Sequence, residues 1–190
     1  DGPALRRRAR QRGPAFDRVD RIDEFVSHAF HVAQAGRKGP VVLALPEDVL
    51  YMTGQENPVK AAHVVQPGLD LQSFNQAMAA FTSAKNPMVI AGGGNWNHTA
   101  CEALRSWANA QAIPVATSFR SQDVIDNLDP AFAGDLGIGA NPALVKRIQE
   151  ADVLLVIGER LGEMTTAGYS ILTVPQAKAK LIHVLSGPEE

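Results

Sequence analysis

Apolar and polar positions along this chain change period several times, and each change marks an element. In residues 22–35 the apolar side chains Ile22, Phe25, Val26, Ala29, Phe30 and Ala33 recur at spacings of three and four. That spacing is one face of an α-helix, and Gly36 supplies its stop. The run PVVLALP at 40–46 is apolar without alternation and bounded by prolines. It predicts a strand covered on both faces, as in parallel sheets. Residues 53–68 then break every period, with Gly54, Asn57, Pro58, Pro67 and Gly68 punctuating a mostly polar stretch. This reads as an interdomain linker between residues 1–52 and residues 69–190.

Beyond the linker the alternation is regular. Leu71, Phe74, Met78 and Phe81 share a helix face behind Asp70 as N-cap, and PMVIA at 87–91 predicts a strand. Ala100, Leu104, Trp107 and Ala108 mark a helix that returns to IPVATS at 113–118. After a loop through Asp135 and Gly139, Asn141 caps a helix with Pro142 at its first position, and Leu144, Val145 and Ile148 face inward. ADVLLVIGERLGE at 151–163 carries five consecutive aliphatic residues, and KLIHVL at 180–185 closes the series. Four strands alternating with helices through right-handed crossovers predict an α/β fold, an open parallel sheet with helices on both faces. In such sheets ligands settle at the carboxyl ends of the strands. Gly92, Gly93 and Gly94 lie at one such end and Gly158 at another.

Composition narrows the partners. At 190 residues and 45% hydrophobic, the chain suffices for one well-buried domain with material left over. A charged fraction of 20% and a net charge of −2 provide no basic field for a nucleic acid. The basic run RRRAR at 6–10, joined by Arg12, lacks apolar periodicity and reads as a solvated or poorly ordered segment. The single cysteine, Cys101, excludes an internal disulfide and suits a reducing cytoplasm. No apolar window reaches the roughly 18 to 20 residues of a membrane span, so a soluble protein is expected. The chain opens on Asp1 and ends directly after a strand-like run, which we read as a piece of something longer.

Candidate chemistry is sparse. AGGGNWN at 91–97 has the strand, glycine loop and helix of a dinucleotide-binding turn, but Asn97 stands at the third glycine position and no acidic residue ends the next strand at Ser118. A tight turn without a ligand and a nucleotide site of another type both remain open. No Walker loop occurs. Five histidines do not cluster with further ligands, and no Gly-x-Ser-x-Gly elbow is present. No catalytic site assembles from these residues.

Several segments in order resemble a known family. KGPVVLALPEDVL at 38–50, with RIDEFVSHAF before it, resembles the closing helix and strand of the pyrimidine-binding domain of thiamine diphosphate enzymes. NPMVIAGGG, IPVATSFRSQDVI, FAGDLGIGANP, EADVLLVIGERL and KLIHVLSGPEE resemble their Rossmann-like central domain, closest to the acetolactate synthase-like group. The resemblance implies three α/β domains in series, the central one a six-stranded parallel sheet, in a transferase or lyase acting beside a carbonyl. Residues 1–52 would then be the remnant of the pyrimidine domain, working with the pyrimidine and diphosphate domains of a parent chain, as a homo-oligomer. The family's thiamine diphosphate and magnesium need a glutamate of the pyrimidine domain and a Gly-Asp-Gly motif with an Asn pair. Neither is found here, since GDLG at 134–137 lacks the following Asn pair, so this chain is expected to catalyse nothing alone.

In acetolactate synthases the central domain holds FAD. The positions here that resemble its contacts are Gly92, Gly93, Gly94, Thr117, Ser118, Leu136, Gly137, Gly158 and Arg160, and an Arg at a strand-end glycine suits phosphate. Two departures stand out: Gly162 occupies an expected Asp position, and Leu185 stands where an acidic residue should end the last strand. The expectation is a nucleotide site that is vestigial or takes an ADP-like group rather than FAD. The alternatives are a free-standing FAD- or ADP-binding module, of electron-transfer flavoprotein-like or sirtuin-like fold, and a ligand-free assembly domain.

Overall fold

The computed structural model describes residues 18–36, 38–55, 59–60, 63–65 and 68–186. The basic run at 6–12, the linker residues Asn57, Pro58 and Pro67, and the end of the chain at 187–190 lie outside them. The chain divides into two compact units, Asp1–Gly68 and Leu69–Glu190.

The first unit holds helix α1 (Ile22–Gln34), preceded by a single 3₁₀ turn, and the one-turn helix α2 (Glu47–Leu50). Its small core is Phe25 and Val49, with Ile22 and Leu43 packed against them. The Arg21 guanidinium lies 4.7 Å over the Phe25 ring. The run 40–46 is not a strand. Strand structure is an act of pairing, and no strand edge exists among this unit's described residues to pair with. Leu43 packs on the small core, while Val42 and Leu45 are 82% and 45% exposed.

The second unit is a five-stranded, all-parallel sheet. Its strands are β1 (Pro87–Ala91), β2 (Val115–Thr117), β3 (Phe132–Asp135), β4 (Val153–Ile157) and β5 (Lys180–Val184), in the order β3-β2-β1-β4-β5. The α-helices among this unit's described residues are α3 (Leu71–Thr82), α4 (His98–Ala110) and α5 (Pro142–Gln149). The central strands are buried on both faces, because alternate residues feed two cores. Val89, Ala91, Val115 and Val153 join Phe81, Leu104 and Ala108 in one core. Met88, Ile90, Ala116, Leu154 and Val156 join Leu144 and Ile148 in the other. Period-two orientation in strands that have helices on each side explains why β1 and β4 read as unbroken aliphatic runs.

Local signals set the helix starts. Asp70, Asn97 and Asn141 each accept a hydrogen bond from a first-turn N–H, from Ser73, Ala100 and Ala143 respectively. The Asp152 carboxylate works differently: it accepts from the Lys85 and Asn86 N–H groups at 2.6 and 3.0 Å, tying the turn before β1 to the start of β4. Two readings change here. β3, read above as loop, is a strand, and its pairing with β2 shifts register between Val115 and Ala116. The apolar stripe of α3 reaches the core only through its last turn, where Phe81 is buried and its ring centroid lies 5.5 Å from that of Trp107. Leu71 and Phe74 are 70% and 42% exposed. The described residues supply five strands where the resemblance implies six.

Candidate functional site

From β1 the chain runs outward to β2 and β3, then crosses back to place β4 and β5 on the other side of β1. The strand order therefore reverses between β1 and β4. At such a switch point the loops leave in opposite directions and open a crevice at the carboxyl edge of the sheet. Gly92, Gly93 and Gly94 leave β1 there, and Gly158 and Arg160 leave β4 beside them.

The glycines meet one another. Gly92 N–H donates to the Ile157 carbonyl at 3.0 Å, and Gly158 N–H to the Val184 carbonyl at 2.8 Å. Gly93 and Gly158 have φ of +79° and +74°. A Cβ on Gly93 would fall 2.2 Å from the Gly158 oxygen, and one on Gly158 would fall 2.3 Å from the Gly92 oxygen. These glycines are required by the close approach of the two backbones. Around Gly94 there is open space: a Cβ there would meet nothing within 4 Å. Trp96 seals one flank, its indole N–H donating to the Gly92 carbonyl at 2.8 Å.

The remaining residues of interest lie at different depths. Thr117 and Ser118 are fully buried, and Leu136 is buried in the second core. Ser118 Oγ donates to Ser121 Oγ at 3.3 Å, whereas Thr117 Oγ1 has no partner among the described residues. A Cβ on Gly92 would overlap Ser118 Oγ, and one on Gly137 would lie 2.8 Å from the Phe119 ring. Arg160 is exposed, as are Gly93 and Gly94. The fold thus brings Gly92, Gly93, Ser118 and Gly158 into one knot at the crevice, while Leu136 points to packing.

Glu159 was not singled out by the sequence, although it follows the strand-end glycine directly. One of its carboxylate oxygens lies 3.1 Å from the position a Gly92 Cβ would take, and the other accepts the Arg160 N–H at 3.0 Å. Its carbonyl accepts a hydrogen bond from His183 Nε2, so β5 helps hold this turn. An anionic group of the chain itself thus stands over the crevice floor.

A separate groove of about 460 Å³ lies between α4 and the loop after β2, lined by Trp96, His98, Cys101, Asp123 and Asp126 among others. Arg105 spans part of this lining, 2.6 Å from Glu102 and 3.8 Å from Asp129. Burial, followed by the nearby Asp123 and Glu102 carboxylates, raises the Cys101 thiol above its usual range, so it is a poor nucleophile at neutral pH. Among the described residues no group of three or more His, Cys, Asp or Glu side chains could hold a metal ion. No helix there is long and apolar enough to cross a membrane.

The family profile "Thiamine pyrophosphate enzyme, central domain" matches residues 74–190, the span that carries the whole sheet. The chain belongs to this family. Across its length it is similar to acetolactate synthase isozyme 1 large subunit of Escherichia coli, 29% identical over 87% of the chain and 29% of the relative. It is likewise similar to sulfoacetaldehyde acetyltransferase of Alcaligenes xylosoxydans xylosoxydans (29% identical, 86% of the chain, 27% of the relative). The probable acetolactate synthase large subunit of Methanococcus aeolicus is 30% identical over 89% of the chain and 29% of its own length. The chain spans less than a third of each. A free-standing flavin or ADP module is not what these likenesses favour. Residues 74–190 are a thiamine pyrophosphate enzyme central domain.

Proposed function

We propose that this chain acts as the structural middle domain of a thiamine diphosphate-dependent transferase or lyase of the acetolactate synthase-like group. The observation that carries the reading is the match of the central-domain family to residues 74–190, which fold as the open parallel sheet expected of it. Similarity to whole acetolactate synthases covers close to nine-tenths of the chain, so it extends well upstream of residue 74. This supports residues 1–52 as the tail of a pyrimidine-binding domain, residues 53–68 as the linker and residues 69–190 as the central domain.

Thiamine diphosphate, when bound, supplies a carbanion equivalent that attacks a carbonyl carbon. This chain's described residues do not fit that cofactor or its magnesium: no group of three or more acidic, imidazole or thiol ligands occurs among them, and the second half of GDLG at 134–137, Leu136 and Gly137, is buried. The second unit would contribute a rigid spacer. FAD is disfavoured as well, because Gly162 and Leu185 stand where acidic residues are expected and the Glu159 carboxylate lies beside Gly92. The exposed apolar residues of the first unit, Phe30, Val42 and Tyr51, support self-association into a homo-oligomer. A reducing cytoplasm suits the single cysteine.

The test is turnover by the native protein isolated from its source, with a 2-oxo acid as donor. The expected result is carbon–carbon bond formation or cleavage that requires added thiamine diphosphate and Mg²⁺. Turnover indifferent to both, or none with any 2-oxo acid, contradicts the reading.

A further inference from the structure

We infer that Glu159 is a specificity-determining residue that keeps anionic cofactors out of the switch-point crevice by holding its own carboxylate beside the anion's place. The backbone of the crevice keeps the features of an anion site. Among the described residues, the Gly93 and Gly94 N–H groups donate to no acceptor, and both residues are solvent-exposed. Ala91 is in register with Thr117 on one side and Ile157 on the other, so Gly94, Arg120 and Arg160 each stand three residues past the same final rung. Two arginines therefore follow the strands that flank the glycine loop, the Arg120 guanidinium lying 5.1 Å over the Phe119 ring. Arg120 does so at a φ of +66°, a conformation that a non-glycine residue adopts only where its surroundings impose it.

Into this setting the chain places a carboxylate. Glu159 Oε2 is 3.1 Å from the position of a Gly92 Cβ, on the crevice floor, and its Oε1 takes the Arg160 N–H, a backbone donor a phosphate oxygen would otherwise use. The side chain is half-buried, and its turn is held from behind by the His183 hydrogen bond to its carbonyl. A phosphate arriving here would have to displace one anion from its donor and then sit beside it. Like charges within a few ångströms in a partly desolvated site repel strongly. Removing the charge while keeping the shape should uncover the site.

Isothermal titration of inorganic pyrophosphate and of ADP into the full chain, at low ionic strength, tests this on the wild type, Glu159→Gln and Glu159→Ala, with circular dichroism confirming the fold of each. Both variants should bind pyrophosphate at least tenfold more tightly than the wild type. Equal affinity in all three, including no binding in any, overturns the inference. If one variant does not fold, the other carries the comparison. A wild type that saturates with ADP at micromolar concentration overturns the inference without any variant. None of these outcomes bears on whether the native protein uses thiamine diphosphate, so the two readings fail separately.

Discussion

At the scale of single residues, three glycines that look alike in the sequence have different reasons to exist. Gly93 and Gly158 sit at positive φ with a carbonyl oxygen where a Cβ would go, while Gly94 looks onto open space. Gly158→Ala combines a left-handed conformation with a backbone clash and should cost about 2 kcal/mol or more. Gly94→Ala should stay within about 0.5 kcal/mol of wild type, as surface substitutions do. Urea unfolding of the pair checks the contrast, and equal losses would mean that the two loops do not approach as described. Cys101 offers a chemical readout at the same scale. With its thiol held up by burial and by Asp123 and Glu102, it should alkylate with iodoacetamide more slowly than glutathione at neutral pH, and Asp123→Asn should speed it. The glycine run and the strand-end Arg were legible from sequence because motif and periodicity mark them. Glu159 was not, since nothing in a linear string shows that a side chain will fold back over the preceding loop.

Elements follow the same logic of partners. β1 and β4 were legible as aliphatic runs, and α4 and α5 as apolar periods behind their caps Asn97 and Asn141. β3 was not: only Phe132 and Ala133 of its four residues are apolar, and it is a strand because β2 offers it an edge. The run 40–46 failed the other way, with strong strand composition and no edge among its unit's described residues. Propensity proposes an element, and pairing decides it. Within the sheet, Leu154 is fully buried between β1 and β5, so Leu154→Ala should cost about 2 to 5 kcal/mol in denaturant unfolding. A loss under 1 kcal/mol would mean that the face it shares with Ile148 is not packed. Asp152 ties β4 to the turn before β1, and its acceptance of the Lys85 N–H lowers its carboxyl pKa below the usual range. A lowered folded-state pKa stabilises above the unfolded value, near 4, and that contribution disappears as pH falls through the folded value. Asp152→Asn should therefore narrow the stability difference between pH 7 and pH 3, measured by thermal melts at both. An unchanged difference would remove Asp152 from the acid response.

At the scale of the whole molecule, one unit is a five-stranded parallel sheet and the other, smaller unit carries exposed apolar residues. Sedimentation velocity should show self-association that Val42→Ser and Tyr51→Ser weaken, since both side chains are 82% exposed and their substitution leaves the small core of Phe25 and Val49 intact. A monomer at all concentrations would assign those residues no such role. The crevice is the most direct point of attack on the account. FAD supplied at about a hundred times its dissociation constant would stabilise a binding protein by about 2.7 kcal/mol. Melting the full chain with increasing FAD up to millimolar concentration should give an unchanged transition temperature. A saturable rise with FAD would contradict a crevice barred to anions by Glu159 and restore the domain as a flavin holder.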